Sequence, residues 1–290
     1  MEHPDSAGQE VFQTDADNVW VEAIPLTTLA DKNLLSLRDE FVVRDGDVIT
    51  LSYPKSGTNW LLEIISLIHS KGDPSWVQSV SSWERSPWLE YLVGQKQIED
   101  HPSEKCPRFY SSHLPIQLFP KSFFNSKAKA IYIIRNPRDI ITSGYFFWGA
   151  SKIFKTPESF EQFFQWFLQG NVPYGSWFDH IRGWLTMRGK ENFLIVAYED
   201  LHQDLRASTE VISQFLGKKL TPEEVDSVLK NTSFQAMKEN SMRESFQIPK
   251  NVLDNSKGQL MRKVLNLLEE IILWTRIVLL KFGLCGRCHQ

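Results

Sequence analysis

Cysteine is scarce in this chain, with three in 290 residues: Cys106, Cys285 and Cys288. That supply cannot build a disulfide framework and suits a reducing, cytoplasmic setting. An excess of positive charge is missing too. With 32 Lys and Arg against 35 Asp and Glu, the formal charge is −3, so nucleic acid meets no basic field and any anion must be bound locally. Long uncharged runs are also absent. The most apolar stretch, residues 264–284, is broken by Glu269, Glu270, Arg276 and Lys281 into pieces too short to span a bilayer. It reads instead as a helix lying on the protein body or on a membrane surface. Residues 1–19 have no apolar segment of the kind a signal peptide needs; they read as a disordered tail, with the fold starting near Trp20. No linker or repeat divides the remainder of the chain, so residues 20–263 read as one domain and 264–290 as a divergent helical ending. What the chain has in quantity is apolar mass. A hydrophobic fraction of 42% and ten tryptophans suffice for a large core and an apolar cavity.

The local chemistry concentrates where strands give way to helices. Residues 47–53 (DVITLSY) are apolar and β-branched, as a covered parallel strand should be. From Trp60 onward Leu61, Ile64, Ile65, Leu67 and Ile68 repeat at helical spacing. Between them Tyr53-Pro54-Lys55-Ser56-Gly57-Thr58-Asn59-Trp60 supplies a lysine, a glycine and hydroxyl and amide side chains at a helix N-terminus, where unpaired N–H groups and the helix dipole hold phosphate. The Walker A order, with lysine after a second glycine, is not met, and no acidic residue suited to Mg²⁺ is evident at a neighbouring strand end. Taken alone, the stretch is an ordinary βα turn or an anion cradle.

Other strand-to-helix junctions carry comparable chemistry. Residues 128–134 (AKAIYII) read as a strand ending in Arg135-Asn136-Pro137-Arg138-Asp139, with a helix from Asp139 through Ser143 to Phe147. Arg135 then sits at the C-terminal edge of a sheet, where open α/β folds bind ligands, and a guanidinium there suits a terminal phosphate. Read by itself, that pentapeptide is a turn with a salt bridge. Residues 108–113 (RFYSSH) form a short strand ending in His113, which in isolation is an ordinary surface or structural histidine. Residues 193–199 (FLIVAYE) read as another strand with Tyr198 near its end. Phe160, Phe163, Phe164 and Phe167 mark a helix, and Thr221-Pro222-Glu223-Glu224 marks a helix start with a capping box. Alternating strands and helices predict an α/β three-layer sandwich around a central parallel sheet.

In order and spacing these motifs resemble the cytosolic sulfotransferases, which use 3′-phosphoadenylyl sulfate (PAPS). The resemblance covers roughly residues 20–263 and implies a P-loop-like nucleotide fold with a modified cradle. Trp83-Glu84-Arg85-Ser86-Pro87-Trp88, residues 112–120 (SHLPIQLFP) and residues 144–148 (GYFFW) look like its hydroxysteroid and bile-salt branch. It implies that Lys55, Ser56, Gly57, Thr58, Asn59 and Trp60 bind the 5′-phosphosulfate, and that Arg135 and Ser143 grip the 3′-phosphate. Tyr198 would lie near the adenine, with Thr232, Ser233, Phe234, Gln235, Ala236 and Met237 supplying later nucleotide contacts. His113 would be the general base and Lys55 the donor to the departing oxygen, without a metal, because a sulfuryl group carries less charge than a phosphoryl group. Trp83, Trp88 and Phe147 would line an apolar acceptor pocket; on residue type alone they are equally core.

The ending departs from the family. Arg262 and Lys263 match its R-K-G, a cofactor-binding pair by resemblance, but Val264 replaces the glycine and no G-x-x-G-x-W-K comes after it. A β-branched residue resists the positive φ that glycine allows. The expectation is PAPS affinity at least roughly tenfold weaker, about 1.4 kcal/mol, than in a chimera with the usual ending, checked by calorimetric titration of PAP. The dimer-forming K-x-x-x-T-V-x-x-x-E stretch is missing, so a monomer is expected as regards that interface. Cys285-Gly286-Arg287-Cys288 has no second ligand pair and is not read as a zinc site. Two other classes stay open at this point: a P-loop nucleotide kinase, and a catalytically impaired protein that only binds PAPS or PAP.

Overall fold

A computed structural model describes residues 12–14, 19–21, 24–27, 30, 33–101, 106–151, 155–240 and 242. Three short strands, β1 (Phe12–Thr14), β2 (Val19–Val21) and β3 (Ile24–Leu26), pair as an antiparallel meander. The first of them, with Val19, lies in the segment read from sequence as a tail; the β-branched Val19 and Val21 around Trp20 favour a strand that can pair on both sides. Arg262, Lys263, residues 264–284 and the terminal cysteines lie outside the described residues.

After α1 (Leu34–Glu40) comes β4 (Val48–Ser52), followed by α2 (Thr58–His69), α3 (Ser75–Ser79), α4 (Ser82–Arg85) and α5 (Leu92–Glu99). Then β5 (Phe109–Ser112) leads through two short 3-10 turns to β6 (Lys129–Ile134), α6 (Pro137–Ala150), α7 (Phe160–Gln169) and α8 (Trp177–Leu185). The described chain closes with β7 (Phe193–Ala197), α9 (Tyr198–Gln203), α10 (Leu205–Leu216), α11 (Pro222–Asn231) and α12 (Phe234–Glu239). The four later strands form a parallel sheet in the order β5-β4-β6-β7.

Alternation along the strands assigns the two faces. Ile131, Ile133 and Val196 pack against Leu61, Ile64, Ile65 and Ile68 of α2, Ile212 of α10 and Val228 of α11. Ile49, Leu51, Ala130 and Tyr132 point the other way, toward Leu34 and Leu37 of α1 and Trp184 of α8. Helices therefore cover both faces, the three-layer α/β arrangement expected from the sequence. A third cluster joins Tyr53, Ile140, Ile141 and Trp148 with the α7 stripe Phe163, Phe164 and Phe167. Each fully buried side chain of this size contributes about 1.5–3 kcal/mol, which holds α6 and α7 over one end of the sheet.

That end holds the candidate site. The chain leaves β4 to return on one side as β5, and leaves β6 to return on the other as β7, so the strand order switches between β4 and β6. Ligands of open α/β sheets bind at such a point, beyond the strands' carboxyl ends. At the opposite edge Arg108 forks onto Asp47, 2.8 and 2.6 Å from its two oxygens, and donates to the Val42 carbonyl at 2.9 Å. This buried pair anchors the sheet away from the site. Thr221 opens α11 with the capping box that its sequence specified.

Candidate active site

Four strands end at one edge, and the residue after each is Tyr53, His113, Arg135 or Tyr198. His113, Arg135 and Tyr198 are three to which the family resemblance assigns a role. The strand register does this work: Ser52 lies opposite Ile133, and Ile134 opposite Ala197.

The turn after β4 has the donor pattern of an anion cradle. Ser56 N–H donates to the Tyr53 carbonyl at 3.2 Å, and both Lys55 (φ 69°) and Gly57 (φ 102°) are left-handed. Strain of this kind gathers at ligand sites, and at Lys55 it costs about 1–2 kcal/mol. Gly57 caps α2 without a side chain. Its carbonyl takes the N–H groups of Trp60 and Leu61 at 3.0 and 3.2 Å, while those of Thr58 and Asn59 precede the first intrahelical bond and are left for another acceptor. The Ser56 hydroxyl is fully buried with no partner among the described residues. Thr58 Oγ1 lies 2.7 Å from Ser52 Oγ.

Around this turn the predicted residues converge. Arg135 donates from Nη1 to the Lys55 carbonyl at 3.1 Å. Its guanidinium lies 4.0 Å from the centre of the Tyr198 ring, and that ring in turn packs beside Gly57. Asp139 is 3.7 Å from Arg135 Nε, an ion pair of the kind that the turn reading of that segment expects. Asp139, Ser143 and Phe147 fall on one stripe of α6 at successive i, i+4 positions. The stripe runs from Arg135 to Lys55, whose ammonium sits 4.1 Å from the Phe147 ring centre. Burial and the Arg135 charge bring Lys55 down to about 8.

Trp60 packs edge-on to Tyr198, 5.4 Å between centres, and donates from its indole to the Thr232 carbonyl at 3.0 Å. That bond brings the later segment to the cradle helix. There Thr232 is buried, its hydroxyl bonded to the Val228 carbonyl, and Ser233 caps α12 by accepting from Ala236. Met237 is buried, Gln235 pairs with Glu239, and Phe234 is exposed.

His113 is held in a defined tautomer. Its Nδ1 lies 2.7 Å from the Ser52 carbonyl, so Nδ1 carries the proton and Nε2 keeps its lone pair. Burial pushes the imidazole down to about 3, against the opposing Ser52 bond, with His180 and Lys55 lowering it further. It is therefore neutral at ordinary pH. Trp88 lies 4.4 Å and Tyr174 5.2 Å from its ring centre. Trp83 is 6.4 Å from Trp88 and stacks on Tyr91, giving an aromatic wall beside the base.

Sequence reasoning missed Ser52, Glu90, Tyr174 and His180. Glu90 carried a signal, a lone carboxylate within Trp88-Leu89-Glu90-Tyr91-Leu92-Val93; the others had none that was local. Among the described residues no cluster of three metal-ligating side chains occurs, and no helix is long and apolar enough to cross a membrane.

The donors fit a nucleotide with phosphate groups at two places. The orphaned Ser56 hydroxyl and the open amides of α2 would serve one of them, and Arg135, whose buried Nε makes no hydrogen bond among the described residues, the other. Trp60 and Tyr198 offer aromatic surface between.

Residues 45–266 match the sulfotransferase domain family. The chain is 56% identical over 250 residues to sulfotransferase 2A1 of Homo sapiens, covering 85% of this chain and 86% of that protein. It is 57% identical over 230 residues to the 3-beta-hydroxysteroid sulfotransferase of Cavia porcellus, covering 78% and 79%. Among solved structures, mouse sulfotransferase SULT7A1 complexed with PAP superposes with a TM-score of 0.66 at 30% identity, covering 80% of this chain and 78% of that one.

Proposed function

The chain belongs to the sulfotransferase domain family, and on that premise we propose that it transfers a sulfuryl group from PAPS to the hydroxyl of a hydroxysteroid or bile salt. The products are a sulfate ester and PAP. The observation that carries this reading is the neutral His113, its Nδ1 tied to Ser52 and its Nε2 open, at the same strand-end edge as Lys55 and the anion cradle.

When bound, PAPS supplies the sulfuryl group. Ser56, the first amides of α2, Thr58 and Asn59 hold its 5′ end, and Arg135 with Ser143 its 3′-phosphate. Trp60, Tyr198 and residues 232–237 flank the base. His113 Nε2 takes the proton of the acceptor hydroxyl, and the Ser52 carbonyl stabilises the imidazolium that forms. A base near 3 is weak; anionic groups brought beside it raise its affinity for a proton, so it strengthens when the site fills. Lys55 Nζ holds a proton for the oxygen that leaves. Trp83, Trp88 and Phe147 give the acceptor an apolar wall and exclude water.

The completeness of the His113 and Lys55 arrangement favours an active enzyme over a protein that only binds the nucleotide. Purified protein is given labelled PAPS or labelled ATP with a steroid alcohol, with and without EDTA. Transfer from PAPS that survives EDTA is expected; transfer from ATP alone, or none from either, refutes the reading. Three cysteines and the family point to a cytoplasmic location, and the missing dimer stretch to a monomer at that interface, which light scattering checks.

A further inference from the structure

His113 is fixed at three points, and only one of them is its own ring. Its backbone N–H donates to Glu90 Oε1 at 2.9 Å. Its carbonyl lies 3.0 Å from His180 Nε2, while His180 Nδ1 lies 2.8 Å from the Tyr132 hydroxyl. A carbonyl can only accept, so His180 Nε2 carries the proton and Nδ1 accepts from Tyr132. Both clamping side chains are sealed from solvent, Glu90 at 0% and His180 at 1% exposure.

They reach His113 from opposite directions. Glu90 belongs to the segment that runs beside β5, where Leu89 N–H donates to the Ser111 carbonyl and Ser111 N–H to the Pro87 carbonyl, each at 2.9 Å. His180 projects from α8, edge-on to Tyr53 at 5.4 Å and stacked on Tyr132 at 5.8 Å. Two buried polar groups cost desolvation that apolar residues of equal size would avoid. That both converge on the main chain of one residue, the proposed base, calls for a reason beyond packing.

We propose that Glu90 and His180 are positioning residues for sulfuryl transfer, which clamp the main chain on either side of His113 and aim its Nε2 at the acceptor hydroxyl. The clamp rests on the reading of His113 as the base. It works whatever the charge on Glu90, because a protonated carboxyl still accepts through its carbonyl oxygen. His180, held near 4 by burial, stays neutral with a single N–H to give.

Full-length variants test it in two matched pairs, Glu90→Gln with Glu90→Ala, and His180→Gln with His180→Leu. Glutamine keeps an acceptor at the first site and a donor at the second. Each protein is measured for kcat, acceptor KM and PAP affinity by calorimetry, the last also reporting that it is folded. The truncating variants are expected to lose about ten- to a hundredfold in kcat, the scale of a misplaced reacting group, with PAP affinity unchanged, and the glutamine variants to recover most of it. If either truncation leaves kcat intact, or PAP affinity falls in step with it, or glutamine rescues neither site, the clamp is wrong. Should one truncation fail to fold, the other pair decides. His113→Ala separates the two layers: if that variant still turns over, the base assignment itself has failed.

Discussion

Gly57→Ala concentrates several features of the cradle in one methyl group. A Cβ there would lie 2.5 Å from Tyr198 Cδ2, 2.9 Å from Cε2 and 3.4 Å from Ile133 Cδ1, on a residue with φ +102°. Left-handed backbone costs an ordinary residue about 1–2 kcal/mol. Forcing the Tyr198 ring aside adds about 1–3 kcal/mol, the usual range for overpacking. The sum, about 2–5 kcal/mol, lowers Tm by roughly 4–20 °C at the 2–4 °C per kcal/mol typical of large domains. Tyr198 cannot move alone, because Arg135 stacks on it and Trp60 meets its edge. PAP binding should therefore weaken as well. Thermal unfolding and calorimetry are repeated in a Tyr198→Ala background, where the steric part disappears and only the backbone part, about 1–2 kcal/mol, remains. An equal loss in both backgrounds would sink the contact with Tyr198, and a G57A protein with unchanged Tm would sink the whole account.

Lys55, lowered to about 8, is charged below that value and neutral above it, so kcat/KM should fall as pH rises through about 8; Lys55→Arg, which does not titrate there, should lose that alkaline limb, and a limb that persists assigns it elsewhere. His113, lowered to about 3, should give the free enzyme no acid limb near the usual histidine value, and an imidazole NMR signal of His113 that titrates near 6.5 together with kcat/KM would contradict its burial. Arg135→Ala should weaken PAP roughly ten- to a hundredfold, the worth of a hydrogen bond to a charged group at about 1.5–3 kcal/mol, but adenosine 5′-phosphosulfate far less; equal losses for both ligands would remove Arg135 from the 3′-phosphate.

The strands and their terminal residues were legible because a covered parallel strand announces itself as an apolar run and the switch-point rule says where its ligand groups go. Boundaries were read less well. The run 193–199 reads as strand through Glu199, but β7 ends at Ala197 and Tyr198 opens α9. Glu199 and Asp200 in the first turn suit a helix N-terminus, and that electrostatic preference prevails over the apolar run. The helix read as starting at Asp139 begins two residues earlier, at Pro137, and is capped by Asn136. The second layer of the site was invisible for another reason. Ser52 and His113 are separated by 61 positions, and His113 and His180 by 67, so only the folded sheet brings them together.

The proposed acceptor side and the proposed nucleotide side are also one mechanical unit. Helix α2 begins at the cradle and, one to two turns later, buries Glu63 and Ser66. Both receive the guanidinium of Arg85, which also donates from Nε to the Val80 carbonyl at 3.1 Å. Arg85 lies two residues from Trp83 and five from Glu90, so the aromatic wall and the clamp on His113 hang from the same helix that presents the amides. A buried pair of this kind gives little net stability over an apolar packing of equal volume. A planar fork bound to three separate acceptors, however, admits one orientation of α4 on α2. Transfer between two bound molecules needs their reacting atoms aligned to within an ångström, and a fixed orientation serves that need where added stability would not.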